Sequence, residues 1–461
     1  MINFKRHMKH SLIIGTLFFV VSSFAQDKKW TLQACVDHAL ENNISIKQTQ
    51  LDALIAKEDI TTAKAAFLPT VSGSASQNYN FGSFIGNDGS RIASDSRGNS
   101  FGVSTGITIF NGFQNINLYK QSKLGLKTSQ LQLDILKNNI SLNVVNAYLN
   151  ILLNKEALKL AEEQVTISQK SLDQVQGFVD AGVRAKADLL LSKSQLATDS
   201  ERLVNAENSV ILSLLSLSQL LQVSKDGFDV ENILIDLTNT VLTYNSTNEI
   251  LSYALTNRPE IKNAELNVEN AEFNIAVAKS SYYPSLTFGA GVGTSYQHFQ
   301  GQDDVIPIFD NTGALTELRP NGFAEQIENN LGYNFGFSLN VPIFSGFKND
   351  ANVNRSKINK ERLNLELEQE KQTLTSNIEQ AYADAKASLK QYEASKISMT
   401  AQEEAFKNEQ EKYDLGVSTS FELEQVRNRL INAQSSFLNA KYNFVFKTKV
   451  LDFYMGKSLT N

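Results

Sequence analysis

The chain has 461 residues, of which 20% are charged, and its formal net charge at neutral pH is −6. An acidic chain is a poor candidate for binding nucleic acid, because the phosphate backbone attracts basic surfaces. The single cysteine, Cys35, excludes an intramolecular disulfide, and beyond the first 25 residues only His38 and His298 remain as histidines, without metal-ligand spacing. There is no nucleophile elbow, phosphate loop or dinucleotide fingerprint. We therefore expect no enzyme, no cofactor and no bound metal.

Residues 1–25 have the three parts of a secretory signal peptide, and their removal lowers the net charge to −9. These parts are a basic start (Lys5, Arg6 and Lys9), an apolar core (12–21) and a small-residue end (23–25). The segment ending at Cys35 weakly resembles a lipoprotein cleavage box, but charged residues separate it from the apolar core, which favours a buried helical cysteine. No later stretch approaches the ~18 apolar residues of a membrane helix. The exported chain should be soluble or enter a membrane as a barrel.

The exported part contains one structural unit twice. The segment from Ala39 to Pro69 returns from Ala254 to Pro284 at a spacing of 215, and Gly182 returns as Gly416 at a spacing of 234. The second copy therefore holds 19 more residues, which we place in an exposed loop. The predicted organisation is a first repeat (26–225), an equatorial linker (226–248), a second repeat (249–455) and a short tail (456–461). In each repeat the first predicted element is a helix.

Four segments then alternate between small or polar and apolar residues with a period of two. They cover about 69–81, 100–110, 284–296 and 331–344. In the last one, Tyr333, Phe335 and Phe337 alternate with glycine, asparagine and serine, which is typical of strands in a membrane barrel. The alternative is an ordinary antiparallel sheet whose apolar face lies on a soluble core. Polar, turn-forming segments between the strands, about 82–99 and 297–330, are predicted as outward loops.

Four strands cannot close a barrel, and lipid does not tolerate an open sheet edge. Two chains would give eight strands, whose interior side chains must fill, whereas the predicted inward residues are small. We therefore predict a homotrimer that shares a 12-stranded β-barrel, with four strands from each chain.

Two long helices follow, at 113–179 and 347–413, with apolar residues every seven positions. Such spacing predicts coiled-coil packing, and the length corresponds to roughly 100 Å. Each helix leads through a turn (180–187 and 414–419) into a second helix (188–223 and 420–453). The predicted fold is thus an α+β membrane protein, a barrel on a long helical tunnel with an internal duplication. The linker is placed as a collar at mid-helix height.

At this point the sequence resembles the TolC family of outer-membrane channels over nearly its whole length. The resemblance rests on the duplication, on Pro69 and Pro284 before the strands, and on the Phe-x-Gly-Phe motifs at Phe110 and Phe344. It also rests on the Gly-Val turns at Gly182 and Gly416. It implies a trimeric barrel in the outer membrane, a helical tunnel in the periplasm, and partners in a periplasmic adaptor protein and an inner-membrane pump.

Three functions remain open from the sequence. The first is the outer-membrane duct of a tripartite export system for small molecules, driven by a proton-coupled pump. The second is the same duct in type I protein secretion, driven by an ATPase. The third is a structural or adaptor coiled-coil protein that only bridges the periplasm, which accounts for the seven-residue repeats but not for the strands.

The resemblance implies a gate at the periplasmic tips. Asp188 and Glu422 follow the two tip glycines by six residues, and three copies would form a ring of six carboxylates. The alternative is helix capping, because Thr419-x-x-Glu422 fits a capping box. Tyr413 is a further gate candidate, although it also falls on the seven-residue stripe. Relatives carry an arginine where this chain has Ser418, and Arg184 of the first repeat is the candidate substitute.

The tip turns are also the predicted contacts to the adaptor protein. The residues concerned are Gly182, Val183, Gly416, Val417 and Ser418. The alternative is that both are simple helix–helix turns in which glycine supplies the left-handed conformation.

Overall fold

The computed structural model describes residues 29–233, 242 and 244–460. The expected signal peptide and residues 234–241 and 243 of the expected linker lie outside the described residues. The first half contains four helices and four strands in its described part. These are α1 (Leu32–Asn42), α2 (Ile44–Ala65), β1 (Thr70–Asn80), β2 (Ser83–Ile85), β3 (Arg91–Ala93), β4 (Ser96–Asn111), α3 (Gln114–Asp180) and α4 (Lys186–Leu221).

The second half repeats this order with longer outer segments. Its elements are α5 (Thr247–Asn257), α6 (Pro259–Ser280), β5 (Ser285–Phe299), β6 (Val305–Phe309), β7 (Leu315–Pro320), α7 (Phe323–Asn329), β8 (Gly332–Asn340), α8 (Lys348–Asp414) and α9 (Ser420–Tyr454). Four helices are long, namely α3, α4, α8 and α9. The two longest, α3 and α8, both have 67 residues, which corresponds to roughly 100 Å.

The first helix of each repeat is broken into two, whereas a single helix was predicted. Asn43 ends α1 in an extended conformation and its side-chain oxygen accepts from the N–H of Ser45 over 2.9 Å, which starts α2. At the same place in the second repeat, Arg258 precedes Pro259, and a residue before proline is driven out of the helical region. The two repeats thus make the same break by different means.

The sheet has four antiparallel strands in the order β1-β4-β5-β8. Its two faces differ as predicted. On one face small polar residues meet across β1 and β4, with the Ser72 and Ser104 hydroxyls 3.0 Å apart and those of Ser76 and Ser100 2.7 Å apart. On the other face, the β8 side chains of Tyr333, Phe335, Phe337 and Leu339 are 65–79% exposed in the single chain.

Several details of the strands and loops differ from the sequence prediction. β4 begins at Ser96 rather than at about 100, and β5 ends at Phe299 rather than at about 296. The last strand, predicted to about 344, ends at Asn340, because Pro342 has no N–H with which to continue the ladder. The two outer loops also contain regular structure that was not predicted. They hold the hairpins β2–β3 and β6–β7 and the short helix α7.

The turn from strand to long helix explains the Phe-x-Gly-Phe motif. Gly112 and Phe113 both have positive φ, 64° and 65°, and Gly346 and Phe347 repeat this with 61° and 63°. Two successive left-handed residues reverse the chain sharply and start the helix. A Cβ at Gly112 would lie 2.6 Å from the carbonyl oxygen of Ser280, so this glycine also allows a close backbone contact.

The long helices form two pairs, α3 with α4 and α8 with α9, and the pairs meet through α3 and α9. At mid-height a layer formed by α1, residues 223–231 and α5 packs on them; we call it the collar. Val144 and Ile151 of the predicted stripe on α3 are buried beneath it, and Cys35 of α1 is buried in the same cluster from the collar side. None of the helices in the described ranges combines the length and hydropathy required to cross a membrane.

Candidate functional site at the helical tips

Both helix pairs reverse direction through a glycine in the left-handed conformation, Gly182 with φ of 73° and Gly416 with φ of 75°. In each turn the N–H of the next residue donates to a carbonyl five residues earlier, over 2.8 Å at Val183 and 2.9 Å at Val417. This is the long hydrogen bond of a Schellman ending. No heavy atom would lie within 4 Å of a Cβ at either glycine, so the backbone conformation alone requires glycine there.

The ends of the two turns are apolar and exposed. Val183 is 71% exposed, and Leu415 and Val417 are 80% and 77% exposed. Both tips are therefore helix–helix turns with a left-handed glycine, as the alternative interpretation predicts. Their valine side chains are nevertheless exposed in the single chain and could contact another protein. We call Val183, Leu415 and Val417 the tip patch.

Glu422 caps the last long helix. Its carboxylate accepts from the N–H of Thr419 over 2.9 Å, and the Thr419 hydroxyl accepts from the N–H of Glu422 over 3.2 Å. The Ser418 hydroxyl lies 3.1 Å from the same carboxylate. The backbone hydrogen bond from Thr419, followed by those of the Thr419 and Ser418 hydroxyls, lowers the pKa of Glu422 below its ordinary value. The predicted capping box is thus present, and Glu422 stays ionised at neutral pH.

Asp188 connects the two tips. Its carboxylate accepts a hydrogen bond of 2.9 Å from the hydroxyl of Ser420, at the start of α9. Asp188 also lies in the first turn of α4, where a negative charge is favourable to the helix dipole. The Asp188 carboxylate therefore stabilises the start of α4 and also contacts the start of α9.

Arg184 and Tyr413 form a second connection. The Arg184 guanidinium carbon lies 4.6 Å from the centre of the Tyr413 ring, within the range of a cation–π interaction. The ring is only 7% exposed, and burial raises the pKa of the Tyr413 hydroxyl although Arg184 opposes this. Tyr413 is thus packed, as its place on the stripe predicts, and Arg184 is the residue that packs on it.

Ser418 makes its own contacts at the position where the family resemblance implied an arginine. Its hydroxyl donates to Glu409 as well as to Glu422, and its side chain is buried. The four gate candidates and Ser418 therefore all have partners within one chain. In the part of the chain that the structure describes, no three His, Cys, Asp or Glu side chains lie close enough together to hold a metal ion.

A buried ionic network above the tips was missed by the sequence reasoning. Arg427 of α9 is 2% exposed and Asp199 of α4 is 1% exposed, and Nη2 of Arg427 lies 2.8 Å from Oδ2 of Asp199. The same nitrogen donates to the Ser168 hydroxyl over 2.7 Å and to the Gln164 carbonyl over 3.0 Å, both on α3. Ser168 in turn donates to Asp199. One side chain of the second repeat is thus bound to both long helices of the first.

The sequence does contain a signal for this network. Arg427 lies four residues after Leu423 and three before Leu430, so it occupies the second core position of a seven-residue repeat. Asp199 lies three residues after Leu196 and four before Leu203, so it also occupies a core position between two stripe residues, on α4. A charged residue at a coiled-coil core position requires a partner, which would have identified this pair.

Comparison with known sequences places the chain among outer-membrane channels. The outer membrane efflux protein family matches residues 35–222 and 250–457, so the two matched segments correspond to the two repeats. The outer membrane protein TolC of Escherichia coli K12 is 25% identical over 234 residues, 50% of this chain and 46% of TolC. The chain is thus matched over about half the length of that relative. The cation efflux system protein CusC of Escherichia coli O157:H7 is 23% identical over 76% of this chain and 70% of CusC.

The fold is also shared. A crystal structure of CusC superimposes with a TM-score of 0.77 at 17% identity, covering 94% of this chain and 93% of that one. This likeness confirms the predicted architecture of a sheet on long helices, built from two repeats. The matched segments, the shared fold and the motifs establish that this chain belongs to the outer membrane efflux protein family, with its sheet in the outer membrane and its long helices in the periplasm.

Proposed function

We propose that three copies of this chain join their sheets into one 12-stranded barrel over a shared helical tunnel, and that this duct serves a tripartite export system. One observation carries the proposal. Among the described residues the sheet ends in two unpaired edges, β1 and β8, and the outer face of β8 presents exposed aromatic residues. Unpaired backbone groups are costly in lipid, so the edges must be closed by further copies.

The inner face of the sheet favours three copies over two. An eight-stranded barrel is filled by its own side chains, whereas this face carries serine and glycine, including the paired Gly289 and Gly336. Such residues leave space, and a 12-stranded barrel uses that space as a water-filled passage.

The exported material is, we propose, small molecules supplied by an inner-membrane pump through a periplasmic adaptor. The relatives support this class, because CusC is named a cation efflux system protein and BepC of Brucella suis an outer membrane efflux protein. The adaptor would bind the tip patch, whose exposed apolar residues end both helix pairs.

Photocrosslinking in cells from position 183 or 417, with the captured protein identified by mass spectrometry, tests this proposal. Capture of the adaptor of a proton-driven pump is the expected result. Capture of the adaptor of an ATP-driven exporter would assign the duct to protein secretion instead. Capture of no adaptor at either position would contradict docking at the tips.

A pair of charge substitutions gives a functional test of the same docking. Val183→Asp with Val417→Asp should abolish export without lowering the yield of the oligomer, because a carboxylate in an apolar contact must lose its hydration. Val204→Asp is the matched control, since Val204 is 61% exposed on α4 and lies away from the tips. Retained export in the double variant would show that docking lies elsewhere.

Asp188 and Glu422 are proposed to give the periplasmic mouth a preference for cations, since three copies bring six carboxylates together. The substitutions Asp188→Asn and Glu422→Gln remove the charge and keep hydrogen-bonding groups, including the glutamine that a capping box accepts. We expect a lower cation preference in bilayer recordings, with Glu404→Gln on α8 as the control. Unchanged selectivity would contradict the proposal that a ring of carboxylates sets the cation preference.

A further inference from the structure

The helix α3 has two distinct faces at mid-height. On one face the Tyr148 hydroxyl donates to the carbonyl oxygens of Trp30 over 3.1 Å and Glu231 over 2.7 Å, so this face lies under the collar. Asn146 and Asn150 are each two residues away from Tyr148. Two residues turn a helix by about 200°, so both asparagines point away from the collar.

The collar must lie on the outside of the tunnel. It is a folded layer of two helices and a connecting segment, and three copies of it inside the tunnel would close the passage that an export duct requires. The face opposite the collar therefore lines the interior. Asn146 and Asn150 are both exposed in the chain, as this position requires.

On this interior face a groove of about 660 Å³ runs across α3, α9 and α8. Its apolar part comes from side chains such as Leu149, Leu153 and Phe446, and its polar part from carboxamides, including those of Asn146, Asn150, Gln391 and Asn443. All these residues belong to one chain, so the groove is formed before the copies assemble. Its volume lies in the range of about 300–1,000 Å³ that is usual for small-molecule sites.

The four carboxamides are available for a ligand. The side chains of Asn146, Asn150, Gln391 and Asn443 form no hydrogen bond within the described part of the chain, and all four residues are exposed. Each can both donate and accept. The described lining contains no charged residue. This distinguishes it from the cavity of about 520 Å³ on the collar side, which is lined by Lys155, Glu156, Lys159 and Glu163.

We propose that this groove is a solute-binding site on the tunnel wall, for an uncharged solute with hydroxyl or amide groups on one side and an apolar face on the other. The carboxamides replace water around the polar groups, and the leucine and phenylalanine side chains cover the apolar face. An ionic solute would lose hydration there without gaining a counter-charge. The proposal deepens the export function above and rests on it.

Two aromatic glycosides that differ in one group provide the test. 4-Nitrophenyl β-D-glucoside is uncharged, and 4-nitrophenyl β-D-glucuronide carries a carboxylate on the same scaffold. The full-length oligomer is reconstituted in a planar bilayer, and each probe is added on the extracellular side, from which mid-height is reached without passing the tips. We expect the glucoside to reduce the current in a saturable way. The glucuronide should require a concentration at least about tenfold higher for the same reduction.

Matched variants connect the effect to the groove. Asn150→Leu with Asn443→Leu should remove the block by the glucoside, whereas Asn205→Leu, at an exposed position of α4 outside the groove, should leave it unchanged. Asn150→Lys with Asn443→Lys should reverse the order of the two probes, because the new cations favour the carboxylate.

The outcomes separate this proposal from the export function. The proposed solute-binding site would be contradicted if a conducting oligomer that exports in cells were not blocked by the glucoside. It would also be contradicted if the block were unchanged after both asparagines are replaced by leucine. In either case the export function would be unaffected. If the chain formed no conducting oligomer, the duct itself would fail and the site with it.

Discussion

Arg427 shows at the scale of one residue how the two repeats are held together. Its guanidinium is buried between α3, α4 and α9 and contacts Asp199, Ser168 and Gln164. A buried ion pair adds little net stability over a well-packed apolar core, but it fixes one arrangement because neither charge can be left alone. We infer that this pair fixes the position of the second tip relative to the first.

Arg427→Met tests this pair. It should lower the free energy of unfolding of the helical part by about 3–5 kcal/mol, because it leaves Asp199 buried without its main partner. Arg202 remains 3.3 Å from Asp199, which favours the lower end of that range. Thermal unfolding, followed by the helical circular dichroism signal, gives the measurement.

Two further variants decide what the loss means. Arg429→Met on the exposed side of the same helix should change stability by less than about 0.5 kcal/mol. Combining Arg427→Met with Asp199→Leu should restore most of the stability, because Asp199 is then no longer left as a buried charge without its partner. A double variant as unstable as Arg427→Met alone would contradict the role assigned to the pair.

Local contacts at the tips were predictable and distant ones were not. The capping box could be predicted because Thr419 lies three residues before Glu422, and both of its hydrogen bonds are present in the structure. The bond from Ser420 to Asp188 joins residues 232 positions apart, and no periodicity in the chain indicates that pairing. The same holds for Arg184 and Tyr413, whose contact depends on how the two helix pairs pack.

The strand-to-helix corners provide a prediction for a whole element. Gly112→Ala and Gly346→Ala both place a side chain at positive φ, which costs about 1–2 kcal/mol. Only at Gly112 would the new Cβ meet the carbonyl oxygen of Ser280, at 2.6 Å, while Gly346 faces open space. We therefore expect Gly112→Ala to lower the thermal unfolding midpoint more than Gly346→Ala, which is its natural control.

Equal midpoints for the two alanine variants would contradict the close contact at Gly112. A larger loss at Gly346 would contradict it more strongly, since the same backbone strain is present at both positions.

Elements with a long repeat were predicted well, and short ones were not. The 67-residue helices carry many seven-residue repeats, and the membrane strands alternate over about ten residues, so both patterns rise above chance. The hairpins β2–β3 and β6–β7 have strands of three to six residues, too short for a pattern to stand out. The break at Arg258 was visible in principle, because Pro259 follows it.

At the scale of the whole molecule, the two faces of β8 should respond differently to charge. Phe335 lies near the middle of the strand on the lipid face and is 79% exposed, so Phe335→Arg should cost about 2–4 kcal/mol in the bilayer. Ser338→Arg, on the inner face of the same strand, meets water and should be tolerated. The yield of folded oligomer extracted from membranes, compared between the two variants, is the measurement.

Equal yields from Phe335→Arg and Ser338→Arg would mean that the outer face of β8 does not meet lipid. A lower yield from Ser338→Arg would reverse the assignment of the two faces.

The duplication explains most of what the sequence could predict about the whole chain. Two copies of one unit predict two strand pairs and two helix pairs. The family match is likewise divided into two segments, 35–222 and 250–457, one in each repeat. The number of chains rests on a different argument, namely that β1 and β8 have free edges and that the inner face carries small residues.

The central claim is that several copies close one barrel, and the number of chains in the membrane-extracted oligomer tests it most directly. Membranes are washed with carbonate and then solubilised in detergent, and the oligomer is weighed by native mass spectrometry. We predict that the protein resists carbonate, needs detergent, and contains three chains. A protein released by carbonate, or a detergent-extracted monomer or dimer, would contradict the shared 12-stranded barrel.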